Sequence, residues 1–409
     1  MHRVRHSLPY FREFGWRATV LAVEPSRVEG ERDERLCDTL PSDADVRRVE
    51  ALPQDWTRQF KIGNLALRAF PYYLRRGSEI IHREGIDLVY FSTTAFPILT
   101  LGRYWKARFG VPYVIDMQDP WYSGTYDPGE EPAMFSKAWL ARQLGRILEP
   151  IAMSGVDGII SVSEGYCDIL QTRYSRVTAS RCAVIPFGAS QNDFDVLEET
   201  EVRNPVFDPN DGSVHIAQVG RAGPDMDRAA HALFDALSRG RQQHPELYGD
   251  VRLHFVGTRY SSQASKTIEP IAAEYNVADI VEEQVTRVPY FQALRILCDA
   301  DMLLLLGSTD PNYTASKLYP YILARRPLLT VFHENSSVVP ITRETGAGTV
   351  VTYDNRVDTD TIADQVEGNW SSMLRRLPFT PATDWNAFQP YTAEAMTRRQ
   401  VTVFDEVVD

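Results

Sequence analysis

The chain has 409 residues, 44% of them hydrophobic and 24% charged, with 55 acidic against 43 basic side chains and a net charge of -12. That length corresponds to two or three domains, and the composition excludes a disulfide mini-protein, a disordered tail and a fibrous repeat. So acidic a chain is a poor general nucleic-acid binder, which needs a dominant basic face. The four cysteines, Cys37, Cys167, Cys182 and Cys298, show no Cys-x-x-Cys spacing and read as reduced thiols of a cytosolic protein. No stretch approaches the roughly 18 apolar residues of a membrane span. The basic opening MHRVRHSLPYF lacks the apolar core of a signal peptide. The expected location is cytoplasmic, soluble or peripheral at the inner face of the plasma membrane.

Taken in order, the chain opens on a helical stretch, Arg3–Phe14, followed by an apolar strand at Thr19–Val23. Further strands are predicted at Leu88–Ser92, Tyr113–Asp116, Gly158–Val162 and Ala183–Pro186, with helices near 63–83, 96–109, 134–154 and 163–174 between them. Pro71 is expected to interrupt the first of these helices. A second series has strands at Val214–Val219, Arg252–Val256, Ile280–Glu282, Met302–Leu306 and Leu328–Val331. Its helices fall near 227–242, 263–275, 289–299, 318–325 and 359–375. Strands alternating with helices make βαβ units and parallel sheets covered on both faces. A doubly wound domain normally opens on a buried strand, so the first strand of the N-terminal domain is expected to be missing.

Residues 188–212 are polar and turn-rich and read as a linker. The expected layout is a Rossmann-like N-terminal domain at 1–190, a linker at 191–212 and a second Rossmann-like domain at 213–384. A helix at 385–409 would cross back to the first domain, with Trp385, Phe388 and Tyr391 as its anchors. Ligands in doubly wound sheets bind beyond the carboxyl ends of the strands.

Two stretches carry chemistry. In the first, the strand Val214–Val219 runs into Gly220-Arg221, a loop with Gly223-Pro224, and a helix near Asp227. Glycine lets a phosphate approach the backbone, and arginine offers a bidentate cationic fork. In the second, Ser316-Lys317 follows the Met302–Leu306 strand. Pro320 fits only the first turn of a helix, so a helix begins close to Ser316–Tyr319 and puts Lys317 at its positive end. His215 and His254 lie within strands and read as core or cleft-edge residues. Ser163 reads as an N-cap, and Ile185–Gly188 as a hinge-side turn.

Together these stretches resemble the GT-B glycosyltransferases, most closely glycosyltransferase family 4 and its bacterial surface-polysaccharide members. Ser316-Lys317-Leu318-Tyr319, with Tyr321, Ala324 and Pro327, is similar to the family's Ser-Lys-Leu-x-Glu-Tyr segment. Leu253–Gly257 resembles the strand and glycine near the nucleotide base, and Asp299–Leu306 the strand before the donor site. Asp116–Trp121 resembles a strand-end segment of the first domain that faces the cleft. The resemblance implies two Rossmann-like domains facing a cleft. The implied activity is transfer of a sugar from a nucleoside-diphosphate donor to a glycan or lipid-linked acceptor in cell-surface polysaccharide synthesis, with retention and without metal or cofactor.

The implied donor-binding residues are Gly220, Arg221, Gly257, Asn312, Ser316 and Lys317, with Arg221 and Lys317 stabilising charge on the leaving phosphate. Asn312 and Pro320 stand where the family places two glutamates, and Arg326 where it has a glycine; Arg228 is the cation nearest the family's loop lysine. Asp310 or Asn312 would then reach the ribose. If configuration inverts, a carboxylate must take the acceptor proton; Asp119 is the catalytic candidate, Asp116 the second. If configuration is retained, the leaving phosphate itself activates the acceptor.

From Arg58 to Arg108 there are nine Lys/Arg and three Asp/Glu. Apolar residues such as Ala69, Ile80 and Ile81 interleave there with Arg68, Arg75 and Arg76, a pattern that suits peripheral contact with anionic lipid. Two rival readings remain: a degenerate, non-catalytic GT-B subunit that binds sugar or a partner transferase, and a nucleotide-sugar epimerase of the same fold.

Overall fold

The computed structural model describes residues 2–28, 33–58, 63–121, 136–259, 265–310, 315–354 and 356–409. The chain forms two compact units. The first comprises Met1–Glu31, Leu40–Phe187 and Ala393–Asp409, and the second Arg32–Thr39 and Gly188–Thr392.

The first unit opens with helix α1 (His2–Ser7) and a 3-10 turn at Phe11–Phe14, in place of one continuous helix. Strands β1 (Thr19–Val23) and β2 (Asp45–Val49) pair in parallel. Strands β3 (Val89–Ser92), β4 (Tyr113–Met117), β5 (Gly158–Ser161) and β6 (Cys182–Val184) form a second parallel sheet in that order. Helices α2 (Leu65–Glu84), α3 (Thr100–Phe109) and α4 (Lys137–Met153) precede β3, β4 and β5.

Along β4 the side chains alternate faces. Tyr113, Ile115 and Met117 join a core with Phe91, Trp105 and Met153. Val114 points the other way, into a core with Phe11, Ile160, Met396 and Phe404. The last two belong to the helix Ala393–Val408. That helix packs in the first unit, but Trp385, Phe388 and Tyr391 do not anchor it there. Those three rings pack on one another within the second unit, and Phe388 and Tyr391 also meet Tyr319.

Helix α2 runs through Pro71 without interruption. A proline within a helix removes one backbone hydrogen bond, and burial of Ala66, Ala69, Ile80 and Ile81 holds the helix around it. Those apolar residues are therefore core. Arg68 is buried too, donating to the carbonyls of Leu52 (2.8 Å) and Arg27 (3.2 Å). The amphipathic pattern of this helix thus marks a core face.

The second unit is one six-stranded parallel sheet built from β7 (Val214–Val219), β8 (Val251–Val256), β9 (Val281–Gln284), β10 (Met302–Leu306), β11 (Leu328–His333) and β12 (Thr349–Tyr353), ordered β12-β11-β10-β7-β8-β9. Every residue of β10 and β11 is buried, as continuous apolar strands covered on both faces must be. Phe234, Leu237, Tyr248 and Trp370 pack on one face; Phe291, Leu294, Tyr321 and Phe332 pack on the other.

Residues 188–212 are not a bare linker. Helix α5 (Gln191–Glu199) buries Phe194 and Leu197 within the second unit. Two apolar residues three apart are a weak periodic signal, easily hidden among acids. Residues 32–39 also belong to this unit: Asp33 accepts from the Tyr290 backbone N–H at 2.9 Å. Among the described residues no helix is long and apolar enough to cross a membrane.

Candidate functional site: the strand ends of the second unit

Strand β7 ends against Tyr321, whose hydroxyl accepts from the Val219 N–H (2.6 Å) and donates to the Val219 carbonyl (2.9 Å). Gly220 follows with φ +111, a conformation open to glycine but strained for other residues. Its N–H is held by the Val256 carbonyl of β8 at 2.7 Å. A side chain added here would also meet Lys317, whose Cδ lies 3.3 Å from the Cβ position. Glycine therefore opens the backbone and makes room for the lysine.

Lys317 stands at the N-cap of helix α6 (Leu318–Leu323), where Pro320 occupies the first turn as expected. Its Nζ donates to the Arg221 carbonyl at 2.9 Å. Burial pushes the ammonium down to about 7; the nearby Arg221 charge acts in the same direction and Asp225 against it. A lysine brought so low is ready to be charged by an arriving anion. Arg221 itself forks onto Asp225, with Nη1 3.1 Å from Oδ2 and Nη2 on Oδ1. Burial raises the Asp225 carboxyl, but hydrogen bonds from Ser308 and Arg221 outweigh it and leave it lowered.

The ends of the neighbouring strands complete the region. Gly257, after β8, has φ +70 and donates to Gln284 at 2.8 Å. Thr258 donates to the buried Glu283 at 2.7 Å, and Glu283 in turn accepts from the N–H groups of Thr267, Ile268 and Glu269. After β10, the Tyr353 hydroxyl donates to the Ser308 carbonyl at 3.1 Å, and the Asp310 N–H bonds Ser308 Oγ at 3.0 Å.

Gly220, Arg221 and Lys317 are thus in mutual contact. Ser316 is exposed beside Lys317, and Gly257 ends the adjacent strand. Asn312 lies outside the described residues. Arg228 is directed elsewhere, onto the Val357 carbonyl and the Tyr353 ring. Sequence reasoning named Tyr321 only as part of the Ser316–Pro327 segment, without a role, and missed Asp225. A surface groove of about 710 Å³ lies near Arg228, His231, Asp235 and Arg239. Arg239 there is committed to Asp235, Asp360 and Asp364.

In the first unit, Asp119 is exposed in the loop after β4. Asp116 is fully buried: Oδ2 accepts from Arg3 (2.9 Å), Ser92 (2.7 Å) and Gln118 (2.5 Å). Arg3 also binds the Ile185 and Pro186 carbonyls at 2.8 and 3.2 Å. This carboxylate is committed to Arg3 and is sealed from solvent, so it is withdrawn as a proton acceptor for substrate. Ser163 sits at an N-cap, but its hydroxyl makes no cap bond; the Ser161 hydroxyl accepts the Ser163 N–H instead, at 3.2 Å.

The two units, each built on parallel strands, have the GT-B fold of known glycosyltransferase structures. Residues 2–188 match the family model of the glycosyl transferase 4-like domain. Among solved structures the chain is similar to a glycosyltransferase from Rickettsia africae, at 13% identity and TM-score 0.57, covering 100% of this chain and 94% of that one. It is also similar to HepE (Alr3699) of Anabaena, in complex with UDP and glucose, at 15% identity and TM-score 0.52, covering 95% and 99%. A putative UDP-N-acetylglucosamine 2-epimerase from Listeria monocytogenes matches at 11% identity and TM-score 0.50, covering 99% and 92%. No curated protein matches the chain by sequence.

Proposed function

We propose that this glycosyltransferase takes a nucleoside-diphosphate sugar at the strand ends of the second unit and transfers the sugar to a glycan or lipid-linked acceptor, in the cytoplasm, for cell-surface polysaccharide. The observation that carries the donor site is the contact of Lys317 with Gly220 and Arg221. A diphosphate approaching Gly220 would meet a lysine without a carboxylate fork and an arginine whose partner, Asp225, is only half-buried. As the glycosidic bond to the β-phosphate oxygen breaks, negative charge grows there. Arg221 and Lys317 would stabilise it, supplying the positive charge that a metal ion gives in other transferases. The acceptor oxygen forms the new bond and gives its proton to the departing phosphate in a retaining reaction, or to Asp119 in an inverting one. Retention requires no base beyond the phosphate and is the course proposed.

A melting-temperature screen with UDP, GDP, ADP and dTDP tests this, since a ligand that binds only the folded chain raises its stability. One nucleotide is expected to raise the melting temperature. Arg221→Ala and Lys317→Ala are each expected to weaken its binding by roughly tenfold or more, as loss of a charged hydrogen bond does. Equal binding by wild type and both variants would remove the phosphate roles.

A further inference from the structure

Helices α3 and α4 pack side by side on one face of the first unit's main sheet. Helix α3 carries Arg103, Lys106 and Arg108 and no acid. Helix α4 carries Lys137, Arg142 and Arg146 against one acid, Glu149, which is buried beneath Arg173 and Tyr174. Six cations and no exposed carboxylate on two adjacent helices stand out in a chain of net charge -12. Lys106 is tied to Asp157, whereas Arg103 and Arg146 are exposed.

The outward side of α4 is apolar. Leu140, Ile147 and Ile151 are 40%, 63% and 43% exposed, and their spacing of seven and four residues sets them on one stripe. Tyr104 on α3 is 47% exposed. Among the described residues, these four make up half of the large hydrophobic side chains that are so exposed. A helix that faces water carries polar residues on that side. Helix α4 buries Ala152 and Met153 in the core and still presents leucine and isoleucine outward.

We propose that the α3–α4 face docks on an anionic lipid bilayer. Leu140, Ile147, Ile151 and Tyr104 enter the boundary between headgroups and acyl chains, and Arg103, Arg108 and Arg146 meet lipid phosphates. Charge complementarity selects this occupant. The core of a protein interface is depleted of charge, whereas here arginines of one sign interleave with the apolar stripe. A nucleic acid would match the arginines and leave the aliphatic side chains without a role. The proposal deepens the reading of a lipid-linked acceptor; within the basic region 58–108 it keeps helix α3 and leaves out α2, and it adds α4.

The full-length chain is mixed with vesicles of phosphatidylcholine alone or of phosphatidylcholine with phosphatidylglycerol, and the bound fraction is read by flotation. Binding to the mixed vesicles only, weakened by salt, is expected. Ile147→Asp with Ile151→Asp should lose roughly tenfold or more in affinity. Arg103→Glu with Arg146→Glu should lose roughly fivefold or more per arginine. All four positions are exposed, and melting curves check that the variants fold. Equal recovery with both vesicle types, or full binding by the isoleucine variant, overturns the proposal. So does a lipid-free oligomer that the isoleucine variant dissociates, which would assign the face to a protein contact, or tighter retention on RNA than on vesicles. Nucleotide-induced melting shifts on the same samples keep the two readings apart. Vesicle binding without any nucleotide shift defeats the donor site alone, and the reverse defeats the membrane face alone.

Discussion

The first unit seals a whole ion pair inside its fold, Arg3 with Asp116, and surrounds it with Ser92, Gln118 and two backbone carbonyls. The second unit, besides the buried and hydrogen-bonded carboxylate of Glu283, holds two basic side chains, His254 and Lys317, toward their neutral forms. At one end of its sheet His215 Nδ1 meets His254 Nε2 at 3.0 Å, under a Phe207 ring stacked on both imidazoles. Burial and the neighbouring His215 push His254 down to about 4. At the other end Lys317 sits near 7. Both units are parallel α/β sheets, so the architecture does not dictate the choice. A paired charge stays fixed and costs a great deal to break; a group relieved of its charge can regain it when pH or a ligand changes. Lys317, in the second unit, is therefore a group able to respond near neutral pH, and His254 one that responds in acid.

The sharpest way to break the contrast is Arg3→Ala. It leaves Asp116 buried without its cation and should destabilise the protein by about 3–5 kcal/mol, read by urea unfolding. A loss under 1 kcal/mol would show that the pair is not what holds α1 to the sheet.

The histidine pair comes next. An unfolded histidine titrates near 6.5 and His254 near 4, so the unfolded chain takes up the proton first. Its contribution is complete above 6.5 and is lost as pH falls toward 4, about 2 kcal/mol of it by pH 5. His254→Gln should flatten that part of the stability profile. An unchanged slope between pH 7 and 5 in the variant would mean that other groups dominate.

The smallest effect sharpens the picture of Lys317. A bound diphosphate raises its pKa, so binding takes up a proton once pH exceeds about 7. Nucleotide affinity should fall about tenfold between pH 7 and 9, well above the phosphate's own ionisation near about 6. Titration calorimetry in buffers of different ionisation enthalpy would detect the proton. A pH-independent affinity would mean that Lys317 does not meet the ligand.

Much of this was legible in the sequence where local chemistry decides. The run Met302–Leu306 could only be a strand buried on both faces. Gly220-Arg221 and Ser316-Lys317 announced themselves because a backbone turn, a cation and a proline in a first helical turn leave local marks. What stayed hidden depends on distance or on an edge. Arg3 and Asp116 are 113 positions apart, and an arginine in a short polar helix looks solvated until its partner is known. Strand β2, DVRRV, hides because an edge strand tolerates arginines. In α2 the apolar residues Ala69, Ile80 and Ile81 face the core, which periodicity alone does not distinguish from an outward stripe. The outward stripe of α4 could be told from a core stripe only once the core was located.

The route of the chain has a consequence for how the protein is made. Residues 393–409 return to the first unit, where Ser7 meets Gln400 and Phe11 meets Phe404. On a ribosome, the second unit's last residues emerge before that returning helix does. The second sheet can close while the first still lacks one wall of its core, although the first began to emerge earlier. Synthesis and completion thus run in opposite orders, and a nascent chain stalled before Ala393 would hold a finished second unit beside an open first one.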